Sequence, residues 1–129
     1  DKMMPDEDSP DFLSHLHWMH YAEGSAMLPV MLSLYTMRLG EAAAPLLPRI
    51  ESEVKNHFGY MNEALGERPF FVGSALTGAD IQLTFTLEAA KSLGHLKDFA
   101  NLERYLNEMH ARPAYKRAEE RGGRYDLGK

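Results

Sequence analysis

The chain has 129 residues, 44% of them hydrophobic, enough for one core and too few for a second domain of ordinary size. With 14 Lys and Arg against 19 Asp and Glu, the formal charge of -5 repels phosphate backbones and anionic lipid, so neither nucleic acid nor a membrane is expected as a partner. There is no cysteine, which excludes a disulfide framework, a thiolate zinc site and a cysteine nucleophile.

Asp8-Ser9-Pro10-Asp11 predicts a helix start, with Ser9 as the cap and Pro10 at the first helical position, where its missing amide hydrogen costs nothing. Phe12, Leu13, Leu16, Met19, Tyr21, Met27, Leu28, Met31, Leu34 and Tyr35 then recur at steps of three and four, which predicts a broad apolar face running to about Arg38. Gly24 and Pro29 interrupt it, so a bend or break is expected midway, and Gly40 marks the end. A second helix is predicted over Leu46 to Leu65, with Leu47, Ile50, Val54, Phe58, Met61 and Leu65 inward and Gly66 as terminator. Arg68 to Gly73 reads as an extended connector tucked onto the core.

Thr77 and Asp80 have capping-box spacing at the mouth of a third helix, Gly78 to about Leu93, and Leu76 and Ile81 have the spacing of a hydrophobic staple. Asp80 is therefore expected to be an architectural carboxylate. The helix it starts is apolar nearly all round, through Ala79, Leu83, Phe85, Leu87, Ala89 and Ala90, and belongs in the middle of a bundle. A fourth helix is predicted from about Leu102 to Ala111, stopped ahead of Pro113, and a fifth from Pro113 to Arg121. Arg112, Lys116, Arg117, Arg121 and Arg124 make the end of the chain a basic, solvated face, and the tail from Gly122 onward is expected to be irregular. The fold class is all-α, a bundle of about five helices in a single domain spanning residues 1–129. His17, His20 and Glu23 stand at three-residue steps, but the stripe winds around the helix and lacks a fourth ligand, so no metal is expected.

Three stretches in order, His20-Tyr21-Ala22-Glu23-Gly24-Ser25 with Met27-Leu28-Pro29, then Phe71-Val72-Gly73 with Leu76-Thr77-Gly78-Ala79-Asp80-Ile81, then Met109-His110-Ala111-Arg112-Pro113-Ala114-Tyr115, resemble the C-terminal domain of glutathione S-transferases. The first is similar to the bacterial and fungal Gtt type; in the last, His110 stands where an Arg often occurs. The resemblance implies an all-helical domain that lines the electrophile pocket of a cytoplasmic, homodimeric detoxification enzyme. Glutathione would be its co-substrate and a small hydrophobic electrophile its second substrate. It also implies that the thioredoxin-like domain that activates the thiol is absent from this chain, which would leave the fragment alone inactive. The start at Asp1, with no initiator methionine there, gives the same expectation of a piece of a longer or processed chain. By position in the family, His17, Tyr21, Gly24, Ser25 and Leu28 are expected to line the substrate pocket, and residues 17, 21, 24 and 28 share one helical stripe. Glu23 is expected near the glutathione end, against the γ-glutamyl ammonium group. The alternative function is a non-catalytic, transferase-like interaction module.

Overall fold

The computed structural model describes residues 3–123 and 127. It consists of α1 (Phe12–Tyr21), a wide π-helical turn (Ala22–Ala26), α2 (Met27–Met37), a short 3-10 turn (Gly40–Ala43), α3 (Leu47–Leu65), α4 (Gly78–Ser92), α5 (Ala100–Ala111) and α6 (Pro113–Gly122). With α1, the wide turn and α2 counted as one continuous rod, the described residues form five helical rods and no strand. Arg124 and most of the expected irregular tail lie outside the described residues.

α4 is the central element. Asp80, Leu83, Thr84, Leu87 and Ala90 are among its buried residues, and α1, the wide turn, α2 and α5 all lie against it. The staple residue Ile81, and Phe85, expected among the apolar residues of a central helix, are 51% and 43% exposed. α3 packs on α2 and α5 through Ile50, Val54, Phe58, Met61 and Leu65, whereas Leu47 at its first turn is exposed.

The first rod turns a different face inward from the one its large apolar residues predict. Its buried positions are His15, Trp18, Ala22, Ala26, Met27, Pro29, Val30, Ser33 and Thr36, while Leu13, Leu28 and Tyr35 are 76%, 58% and 54% exposed. Small side chains at Ala22 and Ala26, both fully buried, let the backbone approach α4 closely, which the bulkier face could not do. The expected interruption takes the form of the π turn. Pro29 has no amide hydrogen, and its ring would collide with the Ser25 carbonyl in a regular α-helix; a wider turn just ahead relieves that contact without ending the rod.

Helix ends differ from the sequence expectation where the cap comes from elsewhere. Ser9 Oγ accepts the Asp11 amide at 3.2 Å, and the helix begins at Phe12, two residues after Pro10. α5 begins at Ala100, two residues earlier than expected, because Asn62 on α3 accepts the Asn101 amide at 3.0 Å and supplies a tertiary cap. The segment from Arg68 to Gly73 is a run of bends rather than an extended connector, and Phe71 and Val72 are fully buried on the core as expected. His95 Nε2 lies 2.9 Å from Ser33 Oγ, tying the loop after α4 to α2, and burial pulls the His95 imidazole below its ordinary pKa.

Candidate functional site

Tyr21 is the last residue of α1, and its ring stands in a cluster that crosses from α1 to α3. Trp18 stacks on Tyr60 at 5.5 Å and meets Phe71 edge-on at 4.7 Å, while Tyr21 lies 5.4 Å from both Trp18 and Tyr60. His17 joins this cluster, 5.5 Å from the Tyr21 ring, with Nε2 3.2 Å from the Tyr60 hydroxyl. The Tyr21 hydroxyl is 2.7 Å from His57 Nδ1. On the far side of that imidazole, Nε2 lies 3.3 Å from Glu53, which pairs with Arg49 at 2.9 Å. Burial, with smaller contributions from Tyr60 and Glu53, pushes the Tyr21 phenol up to about 12. Tyr21 thus holds its proton at every physiological pH and acts as a hydrogen-bonding group, not as a phenolate.

The other expected site residues divide. Glu23, Gly24 and Ser25 all lie in the π turn directly after Tyr21, with Glu23 and Gly24 exposed and Ser25 half-buried. A Cβ added at Gly24 would meet nothing within 4 Å, so that turn offers an open backbone surface. Leu28 is well exposed on the first turn of α2. Thr77 and Asp80 are elsewhere, buried at the mouth of α4. Asp80 Oδ2 accepts the Thr77 amide at 2.9 Å within a capping box, and Oδ1 accepts the Phe71 amide and the Tyr105 hydroxyl, each at 2.9 Å. Such a carboxylate is committed to structure, and it raises the Tyr105 phenol further beyond the elevation due to burial.

Sequence reading missed His57, Glu53 and Tyr60. Glu53 and His57 are four apart on α3, a readable helical pair, but nothing in the chain tells that the pair meets Tyr21 from 36 positions away. A groove of about 510 Å³ between α4 and α6 is also unforeseen, lined by Leu76, Ile81, Phe85, Met109 and Tyr115, with Glu88 at its side. None of the expected pocket residues lines it. Glu88, 8% exposed, accepts from His110 Nε2 at 2.7 Å and from the Tyr115 hydroxyl at 2.6 Å, so the histidine found in place of the common Arg pairs with a carboxylate. Among the described residues, no three His, Asp or Glu side chains come together as metal ligands, and no helix is long and apolar enough to cross a membrane.

The profile of the family described as glutathione S-transferase, C-terminal domain, matches residues 28–118, which contain α3, α4 and α5 whole. The chain belongs to the glutathione S-transferase C-terminal domain family. Glutathione S-transferase 3 of Schizosaccharomyces pombe is 24% identical over 131 aligned positions, covering 90% of this chain and 54% of the relative. A glutathione S-transferase structure from Actinobacillus pleuropneumoniae superposes with a TM-score of 0.80 at 26% identity, over 98% of this chain and 58% of the other. A glutathione transferase from Phanerochaete chrysosporium, solved with oxidized glutathione, shares the fold with a TM-score of 0.70 at 19% identity, over 92% of this chain and 55% of that one. The chain therefore spans about half the length of the curated relative it matches.

Proposed function

We propose that these residues form the helical half of a glutathione transferase that joins glutathione thiolate to small hydrophobic electrophiles, with Tyr21 and the open turn after it facing the substrates. The observation that carries this reading is the position of the aromatic cluster: an amphipathic, partly exposed patch directly beside an exposed backbone turn, in a chain of the transferase family. The chain holds no cysteine, so the thiol chemistry would come from glutathione itself. In this reading a thioredoxin-like domain of the parent protein lowers the thiol pKa, while His17, Tyr21, Gly24, Ser25 and Leu28 shape the electrophile site. Glu23 offers its carboxylate to the γ-glutamyl ammonium group. The groove between α4 and α6, with Ile81 and Phe85 exposed along it, is where the apolar surface of that second domain would seat. Leu32, Tyr35 and Leu39, exposed on α2 and just beyond it, suit burial against a second copy in a cytoplasmic homodimer that detoxifies electrophiles.

The test is glutathione conjugation to 1-chloro-2,4-dinitrobenzene by the natural polypeptide that contains these residues, with the 129-residue chain measured alongside. Activity in the former and none in the latter is expected. Absence of both conjugation and S-hexylglutathione binding in the natural polypeptide would leave a transferase-like interaction module in place of an enzyme.

A further inference from the structure

A tyrosine hydroxyl carries one proton and two lone pairs, so the direction of its inward hydrogen bond decides what it can offer outward. The inward partner of Tyr21 is His57 Nδ1, at 2.7 Å. The opposite nitrogen, Nε2, faces the Glu53 carboxylate at 3.3 Å. An ionised carboxylate can only accept, so it draws the single proton of a neutral imidazole to Nε2 and leaves Nδ1 bare. Tyr21 must then donate inward, and only lone pairs remain to face outward. When His57 takes up a second proton, that proton goes to Nδ1 and the bond reverses. Nδ1–H now donates to the phenolic oxygen, and the hydroxyl proton is released for a group outside.

The geometry points to His57, held by Glu53, as a positioning residue that sets the polarity of the Tyr21 hydroxyl: an acceptor toward a ligand when His57 is neutral, a donor when it is protonated. Other charged or titratable groups near this face include Glu23 in the turn after Tyr21, Arg49, which acts on the ring through Glu53, and Tyr60 and His17, which are 3.2 Å from each other. The elevated pKa of the phenol keeps a proton available for redirection throughout the range in which an imidazole titrates. The inference rests on the reading that the Tyr21 face meets substrate. It makes a carbonyl, nitro or carboxylate oxygen the class of group whose binding there is coupled to uptake of one proton.

The polarity switch can be measured with no ligand present, so its outcome is independent of whether the parent protein is a transferase. Nitrogen-15 NMR of the imidazole rings in the 129-residue chain at pH 9 is expected to show His57 predominantly in the Nε2–H form. Carbon-13 labelling at Tyr21 Cζ is expected to show a shift that follows the His57 titration with the same midpoint, and to lose that step in His57→Gln. A His57 ring mainly in the Nδ1–H form at pH 9, or a Tyr21 Cζ signal that stays flat while His57 titrates, would overturn the proposal.

Discussion

Asp80 shows what a single buried charge does in this chain. It is fully buried, and the Phe71 amide, the Thr77 amide and the Tyr105 hydroxyl all donate to it, so the charge is offset by fixed donors instead of water. Asp80→Ala removes the acceptor of four buried donors, the Thr77 hydroxyl at 3.1 Å being the fourth, and at about 1–3 kcal/mol for each one left unpaired is expected to lower unfolding stability by at least about 3 kcal/mol in a urea melt. Tyr105→Phe, which strands nothing on its own side, should cost roughly 1 kcal/mol. A melting curve for Asp80→Ala matching the wild type would show that the carboxylate is not a structural cap. Tyr21 gives a pH signature. Its folded pKa of about 12 stands above the ordinary tyrosine value of 10.0, so the native state holds the proton more tightly than the unfolded chain does. Stability is therefore fully present below pH 10 and declines as pH rises toward 12. Tyr21→Phe is expected to reduce that alkaline decline, as seen in urea midpoints at pH 9 and 11. The Asp80 role was legible because the T-x-x-D spacing is local and its partner in the cap is three residues away; the Tyr21–His57 contact was not, because it joins two helices.

At the scale of elements, the wide turn and α6 carry the sharpest consequences. Gly24 sits in helical geometry with open space where a Cβ would be, so Gly24→Ala is expected to raise stability by about 0.5–1 kcal/mol by reducing unfolded-state freedom. If the turn also contacts glutathione, the same substitution should weaken S-hexylglutathione binding to the parent protein while the melting temperature rises, and that opposition separates a binding role from a folding one. Gly73 is the contrary case, with a φ of +55° and an Asp11 carboxylate oxygen 2.6 Å from where a Cβ would stand. α6 has no buried residue; Tyr115 fastens it, stacked on His110 at 4.5 Å and hydrogen-bonded to Glu88. Tyr115→Phe is expected to speed amide exchange across residues 113–122 severalfold while α4 exchange is unchanged. Helix existence was readable throughout, because periodicity and the punctuation of Gly40, Gly66, Gly94 and Pro113 are properties of the chain. The start of α5 was misplaced because its cap, Asn62, comes from α3.

Across the whole molecule, the exposed apolar surface includes the α4 side with Ile81 and Phe85 and the α2 side with Leu32 and Tyr35. If the α2 side is a self-association face, Leu32→Glu in the natural polypeptide is expected to convert a sedimenting dimer to monomer without loss of helicity; a wild-type monomer at micromolar concentration would remove that face from consideration. The chain by itself determined the all-α class, the order of helices, the α4 cap and, through three ordered motifs, membership of the transferase helical family. It could do so because periodicity, capping and turn chemistry act over a few residues. Only tertiary structure decided which of two apolar faces of the first rod turns inward. The choice fell on Ala22 and Ala26, because close approach to α4 rewards small side chains over large ones. Tertiary structure likewise brought His57 and Glu53 to Tyr21, since a hydrogen bond between helices depends on how they pack and leaves no local mark on either sequence.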